Sequence, residues 1–556
     1  MDDKKKDRAG AVESENKKSI YDNVSQMADH IGENIKGKGI RLARHSRRSI
    51  FRVLFSRIGL IILFLAAQIW FLFALYSRFA VYFRHISNMQ LLLVVLVIIY
   101  LMNSSSDSSS KATWLAMFSF IPVFSALLLI FIKADAGHRN LKKEVSRLSD
   151  AARDYIPQDY RVLDELEEES PDTASLVRYV NRTGNFPVFK NTEVLYCPLG
   201  EDAFAQMMIQ LEKAEKFIFI EFFIIGEGVM WGKILEILAR KAKEGVDVRV
   251  MYDATCDLSL LPYNYPKRVE SLGIHCRKFD PLTPFISTRY NYRDHRKILV
   301  IDGHTAFTGG INMSDEYINV KCRFGHWKDT AVMLRGEAVR SMTLMFLQMW
   351  QLYDKELSFK EFVEDPVIPF PTESAGYVMP FSDSPMDNDK VGERVFMDIL
   401  NHARHYVYIM TPYLILDDEL LAAVCFAAER GVNVKILLPG VPDKKVVYDL
   451  AKTYFPALLK SGVEIYLYEP GFLHAKEWVS DDCRAFVGTI NMDYRSLYHH
   501  FECGVYMYRP ECIDSIKHDF ADTIEKCRLV DMRAVQKENP LVKITGALAR
   551  VFAPLL

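Results

Sequence analysis

What the sequence lacks narrows its chemistry first. Its nine cysteines, at 197, 256, 276, 322, 425, 483, 503, 512 and 527, are odd in number, scattered, and never spaced as CxxC. That pattern argues against a disulfide framework and against a structural zinc site, and leaves ordinary reduced thiols. No Cys/His/Asp cluster with metal-ligand spacing competes for a catalytic role, so neither a metal nor a cofactor is expected. Charge of one sign is missing as well: 69 Lys and Arg stand against 71 Asp and Glu. A near-neutral chain is a poor candidate for nucleic-acid binding, which draws on clustered cations. The opening MDDKKKDRAG is not a secretory signal, because a long polar stretch precedes the first apolar run. At 556 residues the chain is too long for one ordinary domain, and two or three are expected.

Three uncharged apolar stretches come first, at 58–76, 88–102 (its core Gln90–Met102) and 112–132. A bilayer core takes ~20 apolar residues, so the outer two are long enough to span and the middle one is marginal. Residues 58–133 are therefore expected to form a membrane region, preceded by a basic cytosolic or interfacial segment at 1–57 that suits anionic lipid. The loop 103–110 has no cation, whereas Lys133, Arg139, Lys142, Lys143 and Arg147 follow the third stretch. The positive-inside rule then places the catalytic region in the cytoplasm and the protein, as a multi-pass protein, in the cell membrane. With three spans the same rule objects to an external N-terminus rich in Arg, so the number of spans stays open.

From about residue 190 short apolar runs alternate with amphipathic helices, and the pattern occurs twice. Phe217–Ile225 resembles Tyr406–Ile415, Leu238–Val250 matches Cys425–Ile436, Leu272–Phe279 matches Ser461–Leu467, and Ala306–Asn312 matches Ala485–Asn491. Such alternation predicts an α/β unit with a largely parallel or mixed sheet, used once over 134–370 and again over 371–556.

At one corresponding place in each copy stands His-x-Lys-x4-Asp followed by Gly-x-x-Asn. The residues are His295, Lys297, Asp302 and Asn312 (motif 289–316), then His474, Lys476, Asp481 and Asn491 (motif 468–495). On a strand, residues i and i+2 share a face, so each copy is expected to offer an imidazole and an ammonium together. Packing the copies face to face would gather two His and two Lys. Two imidazoles suit two-step phosphoryl or phosphatidyl transfer: one attacks phosphorus, and the other protonates the leaving oxygen and later deprotonates the acceptor. The lysines and asparagines would hold the phosphate oxygens.

These residues resemble the phospholipase D superfamily and, within it, the bacterial cardiolipin synthases. The likeness runs from about 88 onward through Lys111–Trp114, Ile121–Phe124, the Glu221 strand, Tyr252-Asp253, Thr411–Tyr413, Gly471–Lys476 and Asn491–Ser496. It implies a fold of two phospholipase D-like α/β halves with the active site at their pseudo-twofold interface. It implies catalytic roles for the two His, two Lys and two Asp. It further implies an acid supporting each histidine, at Asp329 and Glu502. Lys328 stands where the family usually has Arg, which puts a secondary ion pair in doubt. The implied reaction joins two phosphatidylglycerols into cardiolipin and glycerol through a phosphohistidine, with membrane lipid as partner. A hydrolytic phospholipase D or a phosphatidylserine synthase would use the same motif. Phe285, Tyr290, Phe472 and Trp478 are candidate apolar walls that keep water out.

Overall fold

The computed structural model describes residues 65–70 and 83–555, apart from 105–106, 135, 259, 280–291, 353, 355, 364–373 and 388. The basic segment 1–57, most of the stretch 58–76, and Phe285 and Tyr290 lie outside these residues.

The apolar N-terminal region is shorter in its parts than the sequence suggests. Helix α1 (Phe83–Met102) is continuously apolar only from Leu91, a run of ~18 Å at 1.5 Å per residue against a bilayer core of ~30 Å. The stretch 112–132 is two helices, α2 (Ser108–Phe120) and α3 (Pro122–Ala134), each of 13 residues. Pro122 has no N–H to continue the ladder and disfavours helical backbone before it, so α2 ends at Ile121. Among the described residues no helix is long and apolar enough to cross a membrane. The expected multi-pass region at 58–133 thus finds no support among the described residues, which leave out most of 58–76. Helix α2 instead lies against the C-terminal segment, where the Thr113 hydroxyl donates to Val551 O at 2.6 Å.

Two sheets follow, built alike. The first has seven strands: β1 (Thr192–Cys197), β2 (Phe217–Phe222), β3 (Asp247–Asp253), β4 (His275–Phe279), β5 (Lys297–Ile301), β6 (Thr305–Gly309) and β7 (Ala331–Gly336), in the order β1-β7-β6-β5-β2-β3-β4. The second contains β8 (Tyr377–Asp383), β9 (Tyr406–Met410), β10 (Asn433–Pro439), β11 (Glu464–Tyr468), β12 (Glu477–Ser480), β13 (Arg484–Gly488), β14 (His500–Tyr508) and β15 (Cys527–Leu529), in the order β8-β14-β13-β12-β9-β10-β11-β15. Apart from β15 at the edge, the two orders are the same. In each sheet three neighbouring strands run parallel (β2-β3-β4, β9-β10-β11) and the motif strand pairs antiparallel to the first of them. The duplication seen in the sequence is thus a duplication of topology.

The motif strand β5 reads KILVI with every residue buried, as a strand covered on both faces must. Helices Gly200–Glu212 and Val229–Lys243 pack on one face of the first sheet, with Ile218, Ile220, Leu299 and Phe307 beneath them. The opposite face, with Phe219, Ile298 and Val300, joins one core that runs on through helix Val339–Trp350 into the second sheet and reaches Trp478 and Phe486. Helix Pro171–Gly184, which the sequence reading assigns to the first half, packs against β8 and helix Val391–His402 of the second. A chain that sends a helix across in this way ties the halves into one body.

Candidate active site

Each motif enters the site on a short strand borrowed by the other half. Arg293–Asp294 runs parallel to His500–Phe501 at the start of β14, and Gly471–Leu473 runs parallel to His326–Lys328. The pairing continues one residue further, with His295 N donating to Phe501 O at 2.9 Å and His474 N donating to Lys328 O at 2.7 Å. This register sets Glu502 opposite His295 and Asp329 opposite His474. The expectation that His and Lys share one strand is therefore only half met. The strands begin at Lys297 and Glu477, and each histidine lies just before, in the segment that crosses to its partner half.

The carboxylates meet the imidazoles directly. His295 Nδ1 lies 2.9 Å from both Glu502 oxygens, and His474 Nδ1 lies 2.6 Å from Asp329 Oδ2. With the carboxylate accepting from Nδ1–H, the tautomer is assigned and Nε2 carries the free lone pair. Glu502 also accepts from the Thr489 hydroxyl, and Asp329 from Thr330 N at 3.0 Å. Both acids are fully buried. Lys297 Nζ donates to His295 O at 2.6 Å, and Lys476 Nζ donates to His474 O.

The charges of the two halves act on one another. Burial, then the ammonium groups of Lys297 and Lys476, hold His295 well below the ordinary imidazole range. Burial and Lys476 lower His474 to about 4, even though Asp329 pulls the other way. Each contact is therefore a neutral imidazole on a carboxylate rather than an ion pair. Burial lowers Lys297 to about 8 and Lys476 to about 7, the latter helped by Lys297 from the other half. Burial pushes Asp329 up, but His474, Lys476 and the Thr330 N–H together outweigh it and hold the carboxyl below its usual value.

The remaining sequence candidates sit differently. Asp302 and Asp481 are not at the histidines. Asp302 lies five residues along the strand from Lys297, ~16 Å at 3.3 Å per residue, and accepts from the backbone N–H of Glu215, Lys216 and Phe217 at 2.7–2.8 Å. Asp481 accepts from Arg404, His405 and Tyr406 N–H at 2.6–2.9 Å. Both take positive φ, 52° and 51°, the left-handed turn that Asp tolerates. In this structure each Asp staples the end of its motif strand to the start of the neighbouring strand.

Asn312 is held between Ile224 N (3.0 Å) and Tyr317 OH (2.7 Å). Asn491 donates to Ser496 Oγ at 3.0 Å. Phe472 lies 5.7 Å from His474, ring to ring, so it does wall the site. Trp478 instead stacks on Phe396 in the core, at 4.4 Å. Lys328 keeps an ion pair despite not being Arg, with Asp519 at 2.6 Å.

Sequence reasoning missed Tyr317 and Trp327, whose rings lie 5.5 and 5.4 Å from His474, and His500, whose ring lies 5.3 Å from that of His295. It also missed Arg296, the variable residue of the first motif, which turns inward to Glu221 at 2.5 Å and Asp294 at 3.4 Å. His500 stands two positions before Glu502, and Trp327 two before Asp329. That spacing was readable, but only once each acid was known to face a histidine.

Two imidazoles with free Nε2, each fixed by a buried acid and flanked by an ammonium, form a centre for nucleophilic and acid–base work on a phosphodiester. Comparison with known proteins agrees with this class. The family pattern described as the cardiolipin synthase, phospholipase D-like domain matches residues 207–350 and 396–524, which contain the two motifs. A cardiolipin synthase of Geobacillus kaustophilus is 32% identical over 80% of this chain and 88% of its own length. An uncharacterized protein of Streptococcus mutans is 55% identical over 80% of this chain and 96% of its own. The crystal structure of phosphatidylserine synthase from Haemophilus influenzae matches with a TM-score of 0.53 at 16% identity, over 69% of this chain and 98% of that one. Fold and site together define a phosphatidyltransferase of the phospholipase D superfamily. More narrowly, the chain belongs to the bacterial cardiolipin synthase family.

Proposed function

We propose that this protein makes cardiolipin from two molecules of phosphatidylglycerol, and that the His295–His474 pair carries the phosphatidyl group as a phosphohistidine. The observation that supports this reading best is the pair of imidazoles with Nδ1 engaged by Glu502 and Asp329 and Nε2 left to react. In the first step one Nε2 bonds to phosphorus, the bond from phosphorus to the glycerol oxygen breaks, and the other imidazolium gives that oxygen its proton. In the second step the same imidazole takes the proton from a hydroxyl of a second phosphatidylglycerol. That oxygen then bonds to phosphorus as the P–N bond breaks.

The free site holds its imidazoles neutral through burial and two ammonium groups. An arriving phosphodiester anion offsets those charges and lets one imidazole hold the proton the leaving group needs. Lys297 and Lys476 then meet the charge that builds on the non-bridging oxygens.

A lipid hydroxyl wins over water, present at about 55 M, because a bound and aligned acceptor reaches effective molarities of ~10⁵ M or more. The aromatic wall of Phe472, Trp327 and Tyr317 around His474 favours the same outcome by excluding water. The test is product analysis with purified protein and phosphatidylglycerol in mixed micelles. Cardiolipin and glycerol in equal amounts, with reversal by added glycerol, support the proposal. Phosphatidic acid as main product at every lipid concentration would make the protein a hydrolase, and a serine-dependent product would make it a phosphatidylserine synthase.

A further inference from the structure

The last helix, Pro540–Val551, has an apolar stripe on each of two sides. Its inner side uses small residues. Gly546 is buried, and a Cβ there would come within 2.5 Å of Asp449 O, so this helix crosses helix Lys445–Ala451 almost backbone to backbone. Its outer side is another matter. Leu541, Ile544 and Leu548 are 70%, 56% and 61% exposed, and Val551 and Phe552 are 41% and 44% exposed. The spacing 541, 544, 548, 551 lines one helical face. A single exposed Leu needs no explanation, but a continuous stripe does.

Two observations say what covers it. The first is charge. From Lys526 onward the chain has six cations, Lys526, Arg528, Arg533, Lys537, Lys543 and Arg550, against Asp531 and Glu538 alone, and no acid follows Glu538. The second is continuity. The helix packs against α2, the Thr113–Val551 hydrogen bond ties them, and α1–α3 expose Leu91, Leu96, Ile99, Phe120 and Ile130.

We propose that helix Pro540–Val551 docks on an anionic lipid leaflet. Its outer stripe enters the boundary between headgroups and acyl chains, and the net positive charge of the C-terminal segment favours an anionic leaflet, as in interfacial amphipathic helices. The docking also orients the active site. Helix Lys445–Ala451, on which the docking helix rests, lines with Val447, Tyr448 and Ala451 an apolar cleft that reaches Phe472, whose ring is 5.7 Å from His474. The docked helix therefore holds the second half with this cleft near the leaflet. The purpose of the docking rests on the lipid-substrate reading, but the docking itself is measured without it.

The experiment uses the full chain with Cys322, the exposed cysteine, replaced by Ser. A bimane label is placed at Leu548→Cys, at Ile544→Cys, or at the control Lys243→Cys in the first half. Vesicles of phosphatidylcholine, with and without phosphatidylglycerol, carry a nitroxide at the headgroup–acyl boundary. The labels at 548 and 544 are expected to be quenched severalfold more than the label at 243, and less when phosphatidylglycerol is omitted or salt is raised. Equal quenching at all three positions overturns the proposal. So does label self-quenching that rises with protein concentration in the absence of lipid, which would identify a second copy as the occupant. A second measurement compares the triple variant L541Q/I544Q/L548Q with the parent. Turnover of phosphatidylglycerol in vesicles should fall about tenfold relative to turnover of a monomeric short-chain analogue, since the variant loses the apolar stripe that holds the protein at the leaflet. An unchanged ratio overturns it. If phosphatidylglycerol is not a substrate at all, the quenching result still stands and only the proposed function fails.

Discussion

Glu502 of the second half holds Nδ1 of His295 in the first half at 2.9 Å, and Asp329 of the first half returns the arrangement to His474 at 2.6 Å. Neither motif histidine meets its acid within its own half. Chemistry at this site is therefore inseparable from the docking of one half on the other, and the expected effects of substitution follow from that.

Replacing His295 or His474 by Ala should each abolish cardiolipin formation, by 10³-fold or more, because members of a catalytic unit are strongly non-additive. Circular dichroism should stay native. Near-normal turnover by either single variant would break the shared-site mechanism.

Asp329→Asn and Glu502→Gln keep the shape and lose the acceptor charge. The amide can present its N–H to Nδ1 and force the wrong tautomer, so kcat should fall roughly 10²- to 10⁴-fold. Substrate binding measured with an inert ether analogue should change little. A loss confined to KM would place these acids in binding instead.

Asp302→Ala should act on stability and spare the chemistry. It strips the acceptor from three backbone N–H groups at a cost of about 2–4 kcal/mol. Urea unfolding should show that loss, while kcat per folded molecule stays close to the parent's. Asp481→Ala should behave in the same way but lose less, because two of its three hydrogen bonds, to Arg404 and His405, are solvent-exposed. A selective fall in kcat without destabilisation would restore a catalytic role for Asp302.

The pH dependence follows from the lysines and histidines. Lys476 and Lys297 lose their protons near about 7 and about 8, so kcat/KM should decline as pH rises through that range. On the acid side His474 gains a proton near about 4 and loses its free Nε2 lone pair. A plateau between those limits is expected in kcat/KM, which reports the free protein. Activity that climbs steadily from pH 7 to 9 would mean that the ammonium charges are not needed.

Chelators should leave activity intact. His295, His500 and Glu502 lie close enough to hold an ion. A cation there would sit beside the lysine ammonium groups of a buried site, which costs Coulomb energy in a low dielectric. Loss of activity with EDTA and its return with one divalent ion would refute this.

The sequence by itself determined the duplicated α/β halves and the four residues at the centre. Strand and helix periodicity are local, and two copies of His-x-Lys at matching places are read without any knowledge of packing. It also pointed to Asp329 and Glu502, through resemblance. Only the tertiary structure decided which acid serves which histidine, because Arg293–Asp294 with His500–Phe501 and Gly471–Leu473 with His326–Lys328 pair across more than a hundred residues of chain. The same holds for Asp302 and Asp481. Their place in the motif suggests chemistry, yet an extended strand carries them away from the histidines to amides that no linear pattern announces. The apolar run at 112–132 reads as one span by hydropathy. The ring of Pro122 divides it, and the C-terminal segment, far off in sequence, gives its first half a partner.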